Sequence, residues 1–174
     1  MQGRGAPEWI EAIAPDEEST LAIARALATL LRPSDVLCLA GDLGAGKTTF
    51  VAALAAELGA EDPVVSPTFT LENRHVLNPT AAGRPQWLVH YDLYRPGEDA
   101  RRDLLPSMVE AREEGAILAI EWPTPVKDWL TPYLDLRIGL APDDVSARRI
   151  LVRAVPDGWP RHDALCAAWA TWMP

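Results

Sequence analysis

The sequence predicts an α/β protein: a mixed, mostly parallel central sheet, helices on both faces, and antiparallel strands toward the C-terminus. Three observations carry this reading. Continuous apolar runs, VLCLA at 36–40 and AILAI at 116–120, suit strands buried on both faces of a parallel sheet. A glycine-rich stretch, GDLGAGKTTF at 41–50, joins the first run to a helical pattern. Two alternating runs near the end, LDLRIGL at 134–140 and RILVRAV at 149–155, read as antiparallel strands.

The elements follow in order. EWIEAIA (8–14) reads as a short edge strand. DEES then supplies acidic first-turn residues and a Ser or Thr N-cap for a helix over about 20–31, with Leu21, Ala24, Leu27 and Leu31 on its apolar side. Beyond the glycine loop a helix runs from about Lys47 to Leu58, with Gly59 at C′ and Val51, Leu54, Ala55 and Leu58 as its core stripe. TFTLE (68–72) alternates as a strand, NPTAAGRPQ (78–86) reads as an exposed connection, and WLVHY (87–91) as a further strand. A helix is predicted around 107–114 and a terminal one over 162–172. The 174 residues suffice for one domain with a real core and are short for two, so 1–174 is read as a single domain.

Composition narrows the function classes. No apolar run approaches the roughly 20 residues that span a bilayer. The start, MQGRGAPEW, has no apolar segment behind a basic one. Cys38 and Cys166 lie far apart without metal-binding spacing, so both read as reduced thiols of a cytoplasmic protein. A formal net charge of −9 argues against holding nucleic acid mainly by the chain's own field. Arg101-Arg102 and Arg148-Arg149 form only small basic clusters, so any nucleic-acid role runs through a partner.

Gly41-x-x-x-x-Gly46-Lys47-Thr48 matches the Walker A pattern in full. The loop Gly41, Asp42, Leu43, Gly44, Ala45, Gly46, Lys47, Thr48 and Thr49 is therefore read as a cradle for nucleotide phosphates. Its glycines let backbone N–H groups converge on phosphate oxygens, and the following helix N-terminus adds positive potential. Thr48 offers a hydroxyl to Mg²⁺. Of 16 basic residues only Lys47 and Lys127 are lysines, and one of them stands inside this loop, where a compact ammonium fits and a planar guanidinium does not.

Three further segments bear on the chemistry. Glu121 ends AILAIE, the place where a P-loop protein holds its metal through a strand-end acid. Asp92 also follows an apolar strand and competes for that role. The more uniformly apolar run before Glu121 favours Glu121 for the metal, leaving Asp92 to order water or to brace a ligand from behind. His90, between apolar neighbours, reads as a packed strand residue, and Arg95 as a phosphate contact or a partner of Asp99. In SPTFTLEN, Pro67 extends Ser66, and the hydroxyls of Ser66, Thr68 and Thr70 suit a γ-phosphate sensor.

In this order and at these intervals, GDLGAGKTTF, SPTFTLEN, HYDLYR and IEWP resemble the TsaE (YjeE) family of small bacterial P-loop ATPases. The likeness runs from about DEEST at 16–20 to IEWP at 120–123, and more weakly through the two later strands. It implies a P-loop NTPase fold and a role in making threonylcarbamoyladenosine in tRNAs that read ANN codons. It also implies ATP and Mg²⁺ as cofactors and a slow, partner-dependent ATPase docking on a TsaB–TsaD heterodimer, with tRNA met only through that complex and no membrane. By the same likeness Lys47, Asp92 and Glu121 form the catalytic set, with Thr48 and Glu121 as Mg²⁺ ligands. Ser66 and Thr68 fall on the switch-like segment. Trp122 matches an aromatic that packs beside the nucleotide or a partner, and Thr20 matches a segment near the adenine.

The text after DLYR departs from the family's acidic helix. PGEDARRDLLPSMVEAREEG places two arginines and Pro106 there, and Pro106 ends or kinks any helix. Two alternatives stand beside the main reading: a small nucleoside or nucleotide kinase, and a nucleotide-gated adaptor with vestigial hydrolysis.

Overall fold

The structure, a computed structural model, describes residues 9–67, 70–78, 83–95 and 97–174, with the backbone alone for Glu98, Ala100 and Arg101. Thr68, the middle of NPTAAGRPQ and the Arg101 side chain of the first basic pair lie outside these described residues.

The two apolar runs form β2 (Val36–Ala40) and β5 (Ile117–Glu121), which pair in parallel at the centre of the sheet. β4 (Trp87–Asp92) lies parallel on the far side of β5, and β6 (Tyr133–Ala141) lies parallel on the far side of β2. The predicted C-terminal hairpin is β6 with β7 (Asp144–Val155), and β1 (Ile10–Ala14) closes that edge against β7. β3 (Glu72–Val76) closes the opposite edge, antiparallel to β4. The seven strands thus run β1-β7-β6-β2-β5-β4-β3, parallel in the middle and antiparallel at both margins.

Alternation along the strands builds two cores. Leu37 and Leu39 of β2, Ile117 and Ala119 of β5, and Leu136 and Ile138 of β6 face one side. There they meet α1 (Glu17–Leu30), α2 (Lys47–Glu57) and α5 (His162–Trp169) through Ile23, Leu27, Phe50, Leu54 and Trp169. Trp169 also ties the last helix down by donating its indole N–H to the Ile23 carbonyl at 3.2 Å. The intervening residues Cys38, Leu118, Ile120, Val89 and Tyr91 face the other side, under Met108 and Ala111 of α4 (Leu105–Glu113). Helices therefore cover both faces, as predicted. Among the described residues no helix is long and apolar enough to cross a membrane.

Local chemistry moved some boundaries. The first helix starts at Glu17, and its cap is Asp16, whose carboxylate accepts the Ser19 N–H at 2.7 Å. Ser19 and Thr20 are thus helical, because the aspartate ahead of them already satisfies the open N–H. In TFTLE the strand begins only at Glu72: Leu71 has φ 64° and donates its N–H to the Pro67 carbonyl, so the chain turns there. Pro106 sits in the first turn of α4, where its missing N–H is harmless. A separate short helix, α3 (Glu98–Asp103), precedes it, unpredicted because EDARRD has no apolar stripe. Cys38 is buried, Cys166 is half-buried, and the two form no disulfide with each other.

Candidate functional site

The loop from β2 to α2 is shaped by its glycines and its neighbours. A β-carbon at Gly41 would lie 2.1 Å from the Ile138 carbonyl oxygen on β6, so this position admits only glycine. Gly44 and Gly46 hold φ of 79° and 102°, which lets successive N–H groups turn toward one point ahead of α2. Asp42, Leu43 and Gly44 are exposed at the loop tip, while Ala45 is buried behind it.

Lys47 is nearly enclosed, with 4% of its surface exposed. Its Nζ donates to the carbonyls of Gly41 at 2.8 Å and Asp42 at 2.9 Å. Burial pulls the ammonium below the ordinary lysine range, and the negative charges of Glu121, Asp92 and Asp42 oppose that shift. The Trp122 ring lies over it, centroid 4.3 Å from Nζ, and meets Tyr94 at a 40° tilt with centroids 4.8 Å apart. Trp122 reaches this place through a left-handed backbone, φ 58°, pinned by its N–H donating to the Leu39 carbonyl at 3.1 Å. Such a conformation costs a bulky residue about 1–3 kcal/mol, and here it turns the side chain over the cleft.

Register brings the acids together. Asp92 and Glu121 are direct partners at the ends of β4 and β5, on the sheet face that α2 covers. Thr48 Oγ1, in the first turn of α2, donates to Glu121 Oε1 at 2.7 Å. Ser66 Oγ donates to Asp92 Oδ2 at 3.2 Å, and the Tyr94 N–H donates to Oδ1 at 3.1 Å. Lys47, Thr48, Ser66, Asp92, Glu121 and Trp122 line one cleft of about 310 Å³. Thr48 and Glu121 place two hard oxygen donors side by side. That set fits Mg²⁺, which takes one or two carboxylates together with phosphate oxygens rather than a cage of protein ligands.

A second cleft, of about 330 Å³, opens on the other side of the loop. It shares Gly44, Gly46 and Thr49 with the first and is walled by Asp16, Thr20 and Arg148. Thr20 is therefore near the loop but apart from the two acids, its Oγ1 donating to the Asp16 carbonyl at 3.1 Å. Arg148 approaches the loop from β7, Nε donating to the Ala45 carbonyl at 3.3 Å, whereas Arg149 is held bidentately by Glu11 of β1. The two arginines, a single cluster in the sequence, face opposite sides of the strand. Sequence reasoning missed Arg148 and Tyr94 as site residues. His90 is the packed strand residue expected, fully buried, and its Nε2 lies 2.9 Å from Glu121 Oε1, a contact that sequence reasoning did not foresee.

A glycine nest between a central parallel strand and its helix, with strand-end acids across the cleft, is the shared plan of P-loop proteins, and this chain is a nucleotide-binding protein of that class. Within the class it belongs to the TsaE family: the model described as "Threonylcarbamoyl adenosine biosynthesis protein TsaE" matches residues 14–150. The tRNA threonylcarbamoyladenosine biosynthesis protein TsaE of Aquifex aeolicus is 45% identical over 114 residues, covering 64% of this chain and 75% of its own. The protein of the same name in Bacillus subtilis is 38% identical over 152 residues, 86% of each chain. Among solved structures, the crystal structure of Bacillus subtilis YdiB aligns with a TM-score of 0.67 at 29% identity. That alignment covers 97% of this chain and 98% of the other.

Proposed function

We propose that this chain binds ATP and Mg²⁺ and hydrolyses the nucleotide in the service of tRNA threonylcarbamoyladenosine biosynthesis, acting on a TsaB–TsaD-type heterodimer that alone handles the tRNA. The observation that carries the reading is the 2.7 Å hydrogen bond from Thr48 to Glu121, which joins the phosphate loop to a strand-end carboxylate. Family membership supplies the pathway.

The residues divide the work. The loop N–H groups and Lys47 hold the β- and γ-phosphates, and Lys47 exchanges its two carbonyl partners for phosphate oxygens. Thr48 and Glu121 would hold the cation, which would neutralise charge on the phosphates. Asp92 orients the attacking water and takes its proton on Oδ while the bond from the γ-phosphorus to the β-phosphate oxygen breaks. Ser66 hydrogen-bonds Asp92, so a rearrangement of the SPT segment at the γ-phosphate is felt at the general base. The base and ribose occupy the second cleft, beside Thr20 and Arg148. A small kinase would need a second cationic clamp for its acceptor, and Arg149 does not offer one, since its guanidinium is already bound to Glu11.

The test is reconstitution of tRNA modification with the matching TsaB, TsaC and TsaD, substrates and ATP. Addition of this chain is expected to convert a single round per complex into many rounds. Yields that ignore the chain, or ready phosphorylation of free nucleosides by it, would defeat the reading.

A further inference from the structure

His90 is fully buried in β4, two residues before Asp92 and on the same face of the sheet. Its register partner on β5 is Ala119, whose methyl leaves space for an imidazole to lie across the strand. The next residue of β5 on that face is Glu121, and Nε2 of His90 ends 2.9 Å from Oε1 of its carboxylate. The same oxygen accepts from Thr48 at 2.7 Å. Because a carboxylate only accepts, the shared proton belongs on Nε2. Nδ1 is buried without a hydrogen-bond partner among the described residues. The bond to Glu121 therefore places a ring hydrogen on Nε2.

A leucine or phenylalanine at this position would fill the core without burying a bare ring nitrogen, so packing alone does not account for the histidine. The hydrogen bond to Glu121 does. A glutamate has three side-chain torsions, and one bond from Thr48 leaves its carboxylate able to turn about Oε1, whereas a second donor from β4 on that oxygen restrains it. We propose that His90 is a positioning residue of the cation site, fixing the Glu121 carboxylate in the orientation that it presents, with Thr48, to Mg²⁺. This rests on the reading of Thr48 and Glu121 as the cation's ligands. Outer hydrogen-bond partners of ligating groups typically govern affinity by about 10- to 100-fold.

The test is calorimetric titration of ATP into the full chain at a series of Mg²⁺ concentrations and in EDTA. His90→Leu is expected to raise the Mg²⁺ concentration for half-maximal tightening by about 10- to 100-fold. Affinity in EDTA, set by the loop and Lys47, stays unchanged. His90→Gln, whose amide N–H can reach the same oxygen, is expected to restore most of the loss. An unchanged Mg²⁺ midpoint in folded His90→Leu overturns the proposal. Should that variant fail to fold, nitrogen NMR of the unmodified protein decides: Nε2 protonated supports the role, and a bare Nε2 refutes it. If ATP binding by the unmodified protein ignores Mg²⁺, the ligand reading itself fails and takes the proposal with it, an outcome distinct from a change absent only in the variant.

Discussion

Asp92 and Glu121 stand side by side as register partners, yet each carboxylate is held by a hydroxyl from a different segment: Ser66 for one, Thr48 for the other. Their roles are therefore separable. Glu121→Gln is expected to weaken Mg²⁺-dependent ATP binding by about 10-fold or more. Asp92→Asn is expected to keep binding and to slow phosphate release by about 10²- to 10⁴-fold, the range of a lost general base. Equilibrium binding and single-turnover hydrolysis on both variants check this, and identical profiles would contradict it.

Lys47 meets charge rather than packing. Lys47→Ala should weaken ATP binding by about 10- to 100-fold, the worth of a hydrogen bond to a charged group. Thermal unfolding should stay cooperative, because the ammonium's contacts are two loop carbonyls and the face of Trp122 at the cleft. Calorimetry and a melting curve on one preparation test both halves.

Gly41 and Gly44 lie in one loop but differ in their surroundings. A methyl at Gly41 strikes the Ile138 carbonyl, a backbone atom that cannot swing aside, whereas at Gly44 it meets nothing within 4 Å. Gly41→Ala is expected to cost roughly 2–4 kcal/mol, and Gly44→Ala roughly 1 kcal/mol for its left-handed backbone alone. Urea denaturation of the two variants should rank them in that order.

The edge strand β1 carries a pH-sensitive clasp. Hydrogen bonds from Arg149 hold the Glu11 carboxyl below its ordinary value of 4.5, with burial opposing them. A folded-state value that is depressed gives stability present above the unfolded value and lost as acid protonates the folded state. Because the pair is part-exposed, its worth is about 0.2–1 kcal/mol. Glu11→Gln should be less stable than the parent at neutral pH by that amount. The gap should close as pH falls below 4.5, a trend measured by urea midpoints across a pH series.

The residues themselves explain what could be read in advance. VLCLA and AILAI were legible because a strand covered on both faces needs side chains of one kind only. The glycine loop was legible because the backbone it builds requires glycine, lysine and threonine at set intervals. β3, spelled ENRHV, was not, for only His75 of its five side chains is buried and its place comes from pairing with β4. The cap was ambiguous because any of several residues in DEEST can accept an N–H. The bond from His90 to Glu121 depends on Ala119 standing opposite, a matter of cross-strand register that neither segment spells locally.

β2, which launches the phosphate loop, has two edges. One is filled by β5, and the other stays unpaired until β6, residues 133–141, arrives. On the ribosome, a nascent chain that has already emerged through IEWP thus carries every phosphate and carboxylate motif and still lacks the wall behind Gly41. The wall behind Gly41 is supplied by a strand that follows every phosphate and carboxylate motif in the chain. A chain ended at Leu130 is accordingly expected to bind no ATP in equilibrium dialysis.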